Sequence, residues 1–203
     1  MDKVIYSLSH GMYVLTTPTG GCIVDAVSQV GGGTNPLVSI AVMKTNNTNE
    51  LMHKTDKCCL PIIGKNTSGE VIREFGLKSM RDYDKFTYDK LIKVDDLYAV
   101  SDSIGYLILE KIDTIENDTH TLFICRVIDS KKLNEDQGMT YNYYRRHKDE
   151  LLSVKTEKGK TAWVCATCGY VFYGEILPEN YTCPNCGVPA SFFHKQNKED
   201  KYE

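Results

Sequence analysis

Four of the eight cysteines in this chain form two closely spaced pairs towards its C-terminal end. The pairs are Cys165-Ala-Thr-Cys168 and Cys183-Pro-Asn-Cys186, with 14 residues between them. Each pair predicts a short knuckle that presents two thiolates, and two knuckles can converge on one tetrahedral metal ion. The spacing alone leaves the metal open, because four sulfur ligands suit zinc and iron alike. A zinc ribbon, in which the metal only holds the fold, and an electron-carrying iron centre both fit.

The residues around the two pairs favour iron. Gly169 and Gly187 follow the knuckles, and glycine lets backbone N–H groups turn towards cysteine sulfur, where they tune the redox potential. Aromatic residues supply most of the apolar side chains of this small unit: Trp163, Tyr170, Phe172, Tyr173, Tyr181, Phe192 and Phe193. The segments 163–172 and 181–189 resemble the two knuckles of a rubredoxin. The resemblance implies one iron, held by Cys165, Cys168, Cys183 and Cys186, that exchanges single electrons.

A second group of residues could bind an anion. Lys44 ends an apolar segment, and Asn46-Asn47-Thr48 opens a predicted helix, so a lysine and side-chain donors meet at a helix N-terminus. Taken alone, ordinary helix capping explains these residues at least as well. The glycines at 31–33 lie in a loop between strands, which does not support a Rossmann dinucleotide site.

The elements that position these groups are mainly strands. Up to about residue 130 the apolar residues alternate with a period of two, as in an antiparallel sheet with one buried face. The predicted strands are 12–17, 22–30, 37–43, 60–64, 97–100, 105–115 and 119–131. Helices are few and short; capping boxes at Asn47 with Glu50 and at Thr67 with Glu70 predict two starts, and residues 141–152 predict a last helix. A closed or partly closed barrel would remove the exposed edges of so many strands.

Several segments of this sheet region resemble flavin reductase-like, FMN-binding split-barrel proteins. They are 25–30, 38–43, 44–51, 75–86, 118–123 and 139–144, and they occur in the order seen in that family. The resemblance implies that Asp25, Ala26, Val27, Ser28, Gln29 and Val30 line the isoalloxazine, and that Lys44, Asn46, Asn47 and Thr48 hold the phosphate. Asp25 and Met80 depart from the residues common in the family. His120 lies in one of the matching segments and is a further candidate to approach the flavin or the nicotinamide.

The expected organisation is a mainly β protein with two domains. We predict an FMN-binding split β-barrel with a few short helices over 1–152, a linker over 153–161, a small rubredoxin-like domain with a four-cysteine metal site over 162–196 and a polar tail over 197–203. A unit as small as 162–196 needs a metal to fold. The remaining cysteines, Cys22, Cys58, Cys59 and Cys125, are expected to be small buried apolar residues.

The composition excludes several classes of function. The net charge is -3 and the pI is about 6.0, which argues against nucleic acid as a partner. No apolar run reaches the roughly 18 residues of a membrane span, and the N-terminus lacks the apolar centre of a signal peptide, so we expect a cytoplasmic protein without membrane contact. Residues 157–203 carry five lysines and six carboxylates, which favours acceptor proteins with a positive patch.

Over nearly its whole length the chain is similar to the high-molecular-weight rubredoxins of anaerobes. That resemblance implies an oxidoreductase in which NADH or NADPH gives hydride to FMN, and FMN passes single electrons to the iron. It also implies a homodimer and a redox partner such as a flavodiiron protein that reduces oxygen or nitric oxide, a defence against oxidative and nitrosative stress. Two alternatives stay open: a flavin-binding barrel with a structural zinc ribbon as an interaction module, and a free flavin reductase.

Overall fold

The computed structural model of the chain describes Val4 and residues 7–78, 84–152, 161–166, 170–184 and 187–195. These residues belong to two compact units, Met1–His147 and Lys148–Glu203. No helix among the described residues is long and apolar enough to cross a membrane. Of the predicted linker only Thr161 is described, and the predicted tail lies outside the described residues, so the proposed domain limits stay a prediction.

The first unit is built on one antiparallel seven-stranded sheet with the strand order β2-β1-β5-β8-β9-β4-β3, beside a two-stranded ladder of β6 and β7. In chain order the strands are β1 (Tyr13–Thr17), β2 (Gly20–Val24), β3 (Val27–Gly31), β4 (Leu37–Met43), β5 (Lys57–Ile62), β6 (Leu91–Val94), β7 (Leu97–Val100), β8 (Gly105–Glu116) and β9 (His120–Lys132). The prediction of a mainly β fold is confirmed. The hairpin predicted at residues 19–21 joins β1 to β2.

The sheet curls around a single core. Its first strand, β2, contributes Cys22 and Val24 to the same buried cluster as Ile40 and Val42 of its sixth strand, β4. Residues from opposite ends of a sheet can share one core only if the sheet bends back on itself. Among the described residues no ladder joins the end strands β2 and β3, so the barrel is split, as predicted.

The split lies where the sequence predicted one continuous strand over 22–30. The structure divides this segment at Asp25 and Ala26, where the N–H of Val27 donates to the carbonyl of Asp25 over 3.0 Å. Alternating apolar residues continue through the break, which is why the pattern did not reveal it. The prediction was wrong here, and the two halves lie at opposite ends of the sheet.

Three short helices accompany the sheet of the first unit: α1 (Asn47–Lys54), α2 (Gly69–Ile72) and α3 (Tyr141–Arg146). α2 continues into a π-helical turn over Arg73–Leu77, and a 3-10 turn follows at Lys85–Thr87. Both predicted N-caps are off by one residue. Asn46 caps α1 by accepting from the N–H of Thr48, and Ser68 caps α2 by accepting from the N–H of Glu70.

The second unit begins with a short helix, α4 (Lys148–Leu151), so the predicted helix over 141–152 is two helices. Its three-stranded sheet has the order β11-β10-β12, with β10 (Ala162–Cys165), β11 (Val171–Tyr173) and β12 (Phe193–Lys195). A 3-10 turn over Ala190–Phe192 precedes β12. Strands of three and four residues around a few aromatic side chains bury little apolar surface, as expected of a unit that needs a metal.

The close pairing of β8 and β9 leads to a stability prediction. A methyl group added at Gly105 would meet the carbonyl oxygen of Lys131 and lie 3.0 Å from the Cα of Lys132. Because these neighbours are backbone atoms, we expect Gly105→Ala to lower the free energy of unfolding by about 1–3 kcal/mol. Urea denaturation measures it, with Gly138→Ala as the control because no atom lies within 4 Å there. Equal stability of the two variants would contradict this account.

Candidate functional site

Two of the four predicted metal ligands are described, and the fold brings them together. Cys165 ends β10 and Cys183 lies in the segment before β12; their exposed fractions are 0% and 2%. Both belong to one buried cluster that also contains Phe193. Cys168 and Cys186 lie outside the described residues.

The backbone around these two cysteines repeats the same geometry. The N–H of Cys165 donates to the carbonyl of Tyr170 over 2.8 Å, and the N–H of Cys183 donates to the carbonyl of Val188 over 2.8 Å. Each bond closes a loop that contains the second cysteine of its pair. Gly187 closes the second loop in the left-handed region, at a φ of 73°, with its N–H bonded to the carbonyl of Cys183. Two equivalent knuckles of this kind are what a four-thiolate metal site requires.

Aromatic side chains enclose the cysteines. Tyr181 packs against Phe172 and Phe193, with ring centroids 4.7 and 5.4 Å apart. The indole N–H of Trp163 donates to the carbonyl of Gly174 over 3.1 Å, which ties the start of the unit to the loop after β11. Two buried cysteines in one cluster fit a bound metal ion, because cysteine thiolates are common metal ligands.

The residues predicted to line a flavin lie on an end strand of the larger sheet. β3 pairs on one side with β4 through Val27 and Ser28, and just before it Ala26 accepts a hydrogen bond from the N–H of Ala41 over 3.0 Å. The side chains of Ser28, Gln29 and Val30 are exposed. A strand with one unpaired edge offers a row of backbone donors and acceptors to a ligand.

The residues predicted to hold a phosphate surround the start of α1, but they face different ways. The side chain of Asn46 accepts from the N–H of Thr48 over 3.0 Å. Thr48 is only 1% exposed. Burial raises the pKa of the Cys22 thiol, which belongs to the core of the barrel, and the side chains of Thr48 and Asn46 partly offset this rise. Asn47 is partly exposed at the first turn of the helix. The side chain of Thr48 is therefore buried in the protein.

Lys44 has a partner that the sequence did not indicate. Its ammonium group lies 2.9 Å from Oε2 of Glu116, and His53 lies 3.5 Å from the other carboxylate oxygen. The ion pair with Lys44 lowers the pKa of the exposed Glu116. Because β9 begins beside this pair, His120 comes close to it: the N–H of Lys44 donates to the carbonyl of Thr119, and the hydroxyl of Thr119 lies 2.8 Å from Nδ1 of His120.

The other predicted cysteines are buried. Cys22, Cys58, Cys59 and Cys125 are at most 4% exposed, as expected of small apolar residues. Burial raises the pKa of Cys59 to about 12, so its thiol stays protonated at neutral pH. An open polar cleft of the same unit, lined by Lys65, Asp102, Asp136 and Tyr143 among others, contains none of the predicted site residues. Met80 lies outside the described residues.

Comparison with known protein families agrees with this geometry. Residues 5–152 match the family described as "Flavin reductase like domain", and residues 163–194 match the "Rubrerythrin, rubredoxin-like domain". The chain belongs to the flavin reductase-like family and carries a rubredoxin-like domain at its C-terminal end. The expected class, a flavin oxidoreductase joined to a rubredoxin-like unit, is confirmed.

Two curated relatives and one solved structure are similar to the chain. A "High molecular weight rubredoxin" of Moorella thermoacetica is 27% identical, and the match covers 95% of this chain and 98% of the relative. A "Ferric-chelate reductase (NAD(P)H)" of Archaeoglobus fulgidus is 25% identical over 78% of this chain and 92% of the relative. The NADH:FAD oxidoreductase SgcE6 of Streptomyces globisporus is 17% identical, covers 68% of this chain and 84% of its own, and superimposes with a TM-score of 0.62.

The paired knuckles predict that the second unit depends on its metal. We expect Cys165→Ala to abolish metal binding and to unfold this unit, because its strands bury too little apolar surface to fold alone. Metal analysis and hydrogen exchange measure the two effects. Cys59→Ala, a buried cysteine of the first unit, is the control and should keep one metal per chain. A Cys165→Ala protein with full metal content would contradict the proposed ligand set.

Proposed function

We propose that this protein carries electrons from NAD(P)H through FMN to an Fe(Cys)4 centre and then to an acceptor protein. One observation carries the proposal: the match to the high-molecular-weight rubredoxin extends over nearly the full length of both chains, and so includes both domains in the same order. A one-electron carrier joined to a flavin oxidoreductase domain has a source of electrons in its own chain. An added rubredoxin-like unit has less use in a protein that only releases reduced flavin.

Cysteine ligands and a flavin site divide the chemistry between the two units. When bound, FMN would accept a hydride from the nicotinamide and pass electrons one at a time to the iron. No protein side chain can carry out both steps. The chain holds the iron through Cys165, Cys168, Cys183 and Cys186. Buried knuckle cysteines exclude water from the metal, which helps to set its potential.

The flavin ring would bind along β3, with Asp25, Ala26, Val27, Ser28, Gln29 and Val30 beside it. β3 is antiparallel to β4, so Asp25 and Ala26 lie at the same end as Lys44. The proposed ring site and the proposed phosphate site would therefore be neighbours. The unpaired edge of β3 offers backbone hydrogen bonds, which suit the polar side of a flavin ring.

The phosphate of FMN would bind at the start of α1, with Lys44, Asn46, Asn47 and Thr48 around it. A helix N-terminus and a lysine both favour a negative group. Lys44 now pairs with Glu116, and a phosphate dianion is the stronger competitor for an exposed ammonium group. Glu116 would therefore hold the side chain of Lys44 in position when no phosphate is bound.

We propose a nicotinamide as the electron donor because of the names of two similar proteins. Both carry NADH or NAD(P)H in their names. His120 is our candidate to contact the nicotinamide or the flavin, because β9 begins beside Lys44 and the N-terminus of α1.

The rubredoxin-like unit offers a surface for an acceptor. Tyr173, Ile176 and Phe192 are 45%, 79% and 48% exposed, and Glu175 and Glu179 lie beside Ile176 in sequence. Exposed apolar side chains in a unit that also carries these carboxylates fit a partner with a positive rim. We propose a flavodiiron protein that reduces oxygen or nitric oxide, in the cytoplasm of an anaerobe, by the resemblance to high-molecular-weight rubredoxins.

The visible spectrum of the purified protein tests the proposal. We expect overlapping flavin and ferric tetrathiolate bands, with one FMN and one iron per chain, and we expect NADH or NADPH to bleach both under anaerobic conditions. The Cys165→Ala variant is the matched control, in which only the flavin should be reduced. A flavin band over a colourless zinc site in protein from iron-replete cells would refute the iron centre. Flavin lost during purification would favour the free flavin reductase.

We further propose that the first unit forms a homodimer. A row of apolar residues crosses the outer face of three neighbouring strands, formed by Ala41 of β4, Leu122 of β9 and Ile115 of β8, and continues to Ala26 just before β3. Ile115 and Met43, which lies two residues beyond Ala41 on β4, are 47% and 50% exposed. The row ends at Ala26, so a partner that covered it would lie next to the proposed flavin site.

The row gives a test of the dimer. We expect Leu122→Glu to produce a monomer, because a buried unpaired carboxylate is costly at an interface. Sedimentation velocity at micromolar concentration measures the state, and Ile176→Glu makes the same type of change in the other unit as a control. A monomeric wild-type protein would contradict the proposal.

A further inference from the structure

A buried lysine in the 3-10 turn has no part in the function proposed so far. Lys85 is 3% exposed, although it follows the exposed Asp84 that caps its 3-10 turn. Its ammonium group donates to the carbonyl of Gly21 over 3.0 Å and to the carbonyl of Phe75 over 3.1 Å. The side chain therefore joins β2 to the π-helical turn, inside the barrel.

A chain of polar contacts connects this lysine to the proposed phosphate site. Cys22, next to Gly21 on β2, lies near enough to Lys85 for their charges to interact. The side chains of Thr48 and Asn46, in the first turn of α1 and at its cap, also lie close enough to this thiol to lower its pKa, and α1 contacts β2. Only one side chain thus separates the buried ammonium group from the helix N-terminus.

The described groups around Lys85 leave its charge largely uncompensated. Cys22 faces it from β2, and burial raises the pKa of this thiol, so it is neutral at physiological pH. Glu74 and Lys78 face it from the π-helical turn and its end, but they pair with each other at 2.6 Å. Within the described residues no carboxylate lies at ion-pair distance from Lys85. A buried cation of this kind gains most from an anion placed nearby.

We propose that Lys85 is a positioning residue that favours phosphorylated flavin, acting from inside the barrel through Cys22, Thr48 and Asn46. The inference depends on the flavin site of the proposed function and adds a determinant of its ligand class. The lysine does not touch the ligand. It supplies positive potential behind the helix N-terminus and holds the residues that shape it.

Protonation of Lys85 makes this role measurable. Burial lowers the pKa of Lys85 to about 8. A phosphate bound near the helix start would stabilise the charged form and raise that pKa, so binding above pH 8 would take up as much as one proton. The affinity for FMN should therefore fall as the pH rises, by about tenfold between pH 7 and pH 9. Riboflavin has the same ring but no phosphate, and its affinity should stay nearly constant.

The test is a fluorescence titration of the flavin-free full-length protein with FMN and with riboflavin between pH 7 and pH 9. A loss of affinity that is specific to FMN supports the proposal. Parallel pH profiles for the two flavins would overturn it while leaving the flavin site intact. If neither flavin binds at any pH, the proposed function itself fails, so the two failures are distinct.

Variants test whether Lys85 causes the pH dependence of FMN affinity. In Lys85→Met the FMN affinity at pH 7 should fall about tenfold and lose its pH dependence, with riboflavin affinity unchanged. Lys85→Arg keeps the charge at every pH tested, so its FMN affinity should not fall at pH 9. Lys131→Met, an exposed lysine, is the control and should keep the wild-type profile. If Lys85→Met does not fold, the pH profiles of FMN affinity for the wild type and for Lys85→Arg decide. If the FMN affinity of Lys85→Arg falls with pH as steeply as that of the wild type, Lys85 is not the group responsible.

Discussion

The larger unit depends on one constraint: the described residues form no helix layer that could cover the apolar face of its seven-stranded sheet. Its α-helices contain eight, four and six residues, too few to shield the strands. The sheet must therefore bury its apolar face against itself. The shared core of β2 and β4 is the direct result, and so is the turn at Asp25 and Ala26 that sends the chain from one end of the sheet to the other.

The same curvature creates the candidate flavin site. Because the barrel is split, β3 keeps an unpaired edge instead of losing it to β2. α1 follows β4 and packs on the core through Met52, which brings its N-terminus next to β2. Polar groups then meet where the apolar core ends, with Cys22, Thr48 and Lys85 on the inside and Lys44 with Glu116 on the outside. A ligand with an apolar ring and a charged tail matches such a boundary.

The smaller unit depends on a different source of stability. It has short strands, a cluster of aromatic rings and two matching cysteine knuckles, and its apolar core is too small to compete with chain entropy. In the proposed function, a metal ion that crosslinks the knuckles would supply the missing free energy. The ligands that stabilise the unit would then also tune the metal, so stability and redox chemistry would come from the same four side chains.

Local signals in the sequence were enough to predict several elements. The strands at 37–43 and 97–100 were predicted to the residue, because short apolar segments bounded by polar or turn residues are typical of strands in a buried sheet. The two cysteine pairs predicted a metal site for a similar reason, since three-residue spacing alone brings both thiols of a knuckle to the same side.

Tertiary structure decided what depends on distant neighbours. The break at Asp25 and Ala26 has no signal in the alternation. The partner of Lys44 is Glu116, far along the chain on β8, and the burial of Lys85 depends on carbonyl groups of β2 and the π-helical turn. Such contacts could not be read from the sequence, because a polar residue is buried only where the packing of other segments supplies its hydrogen bonds.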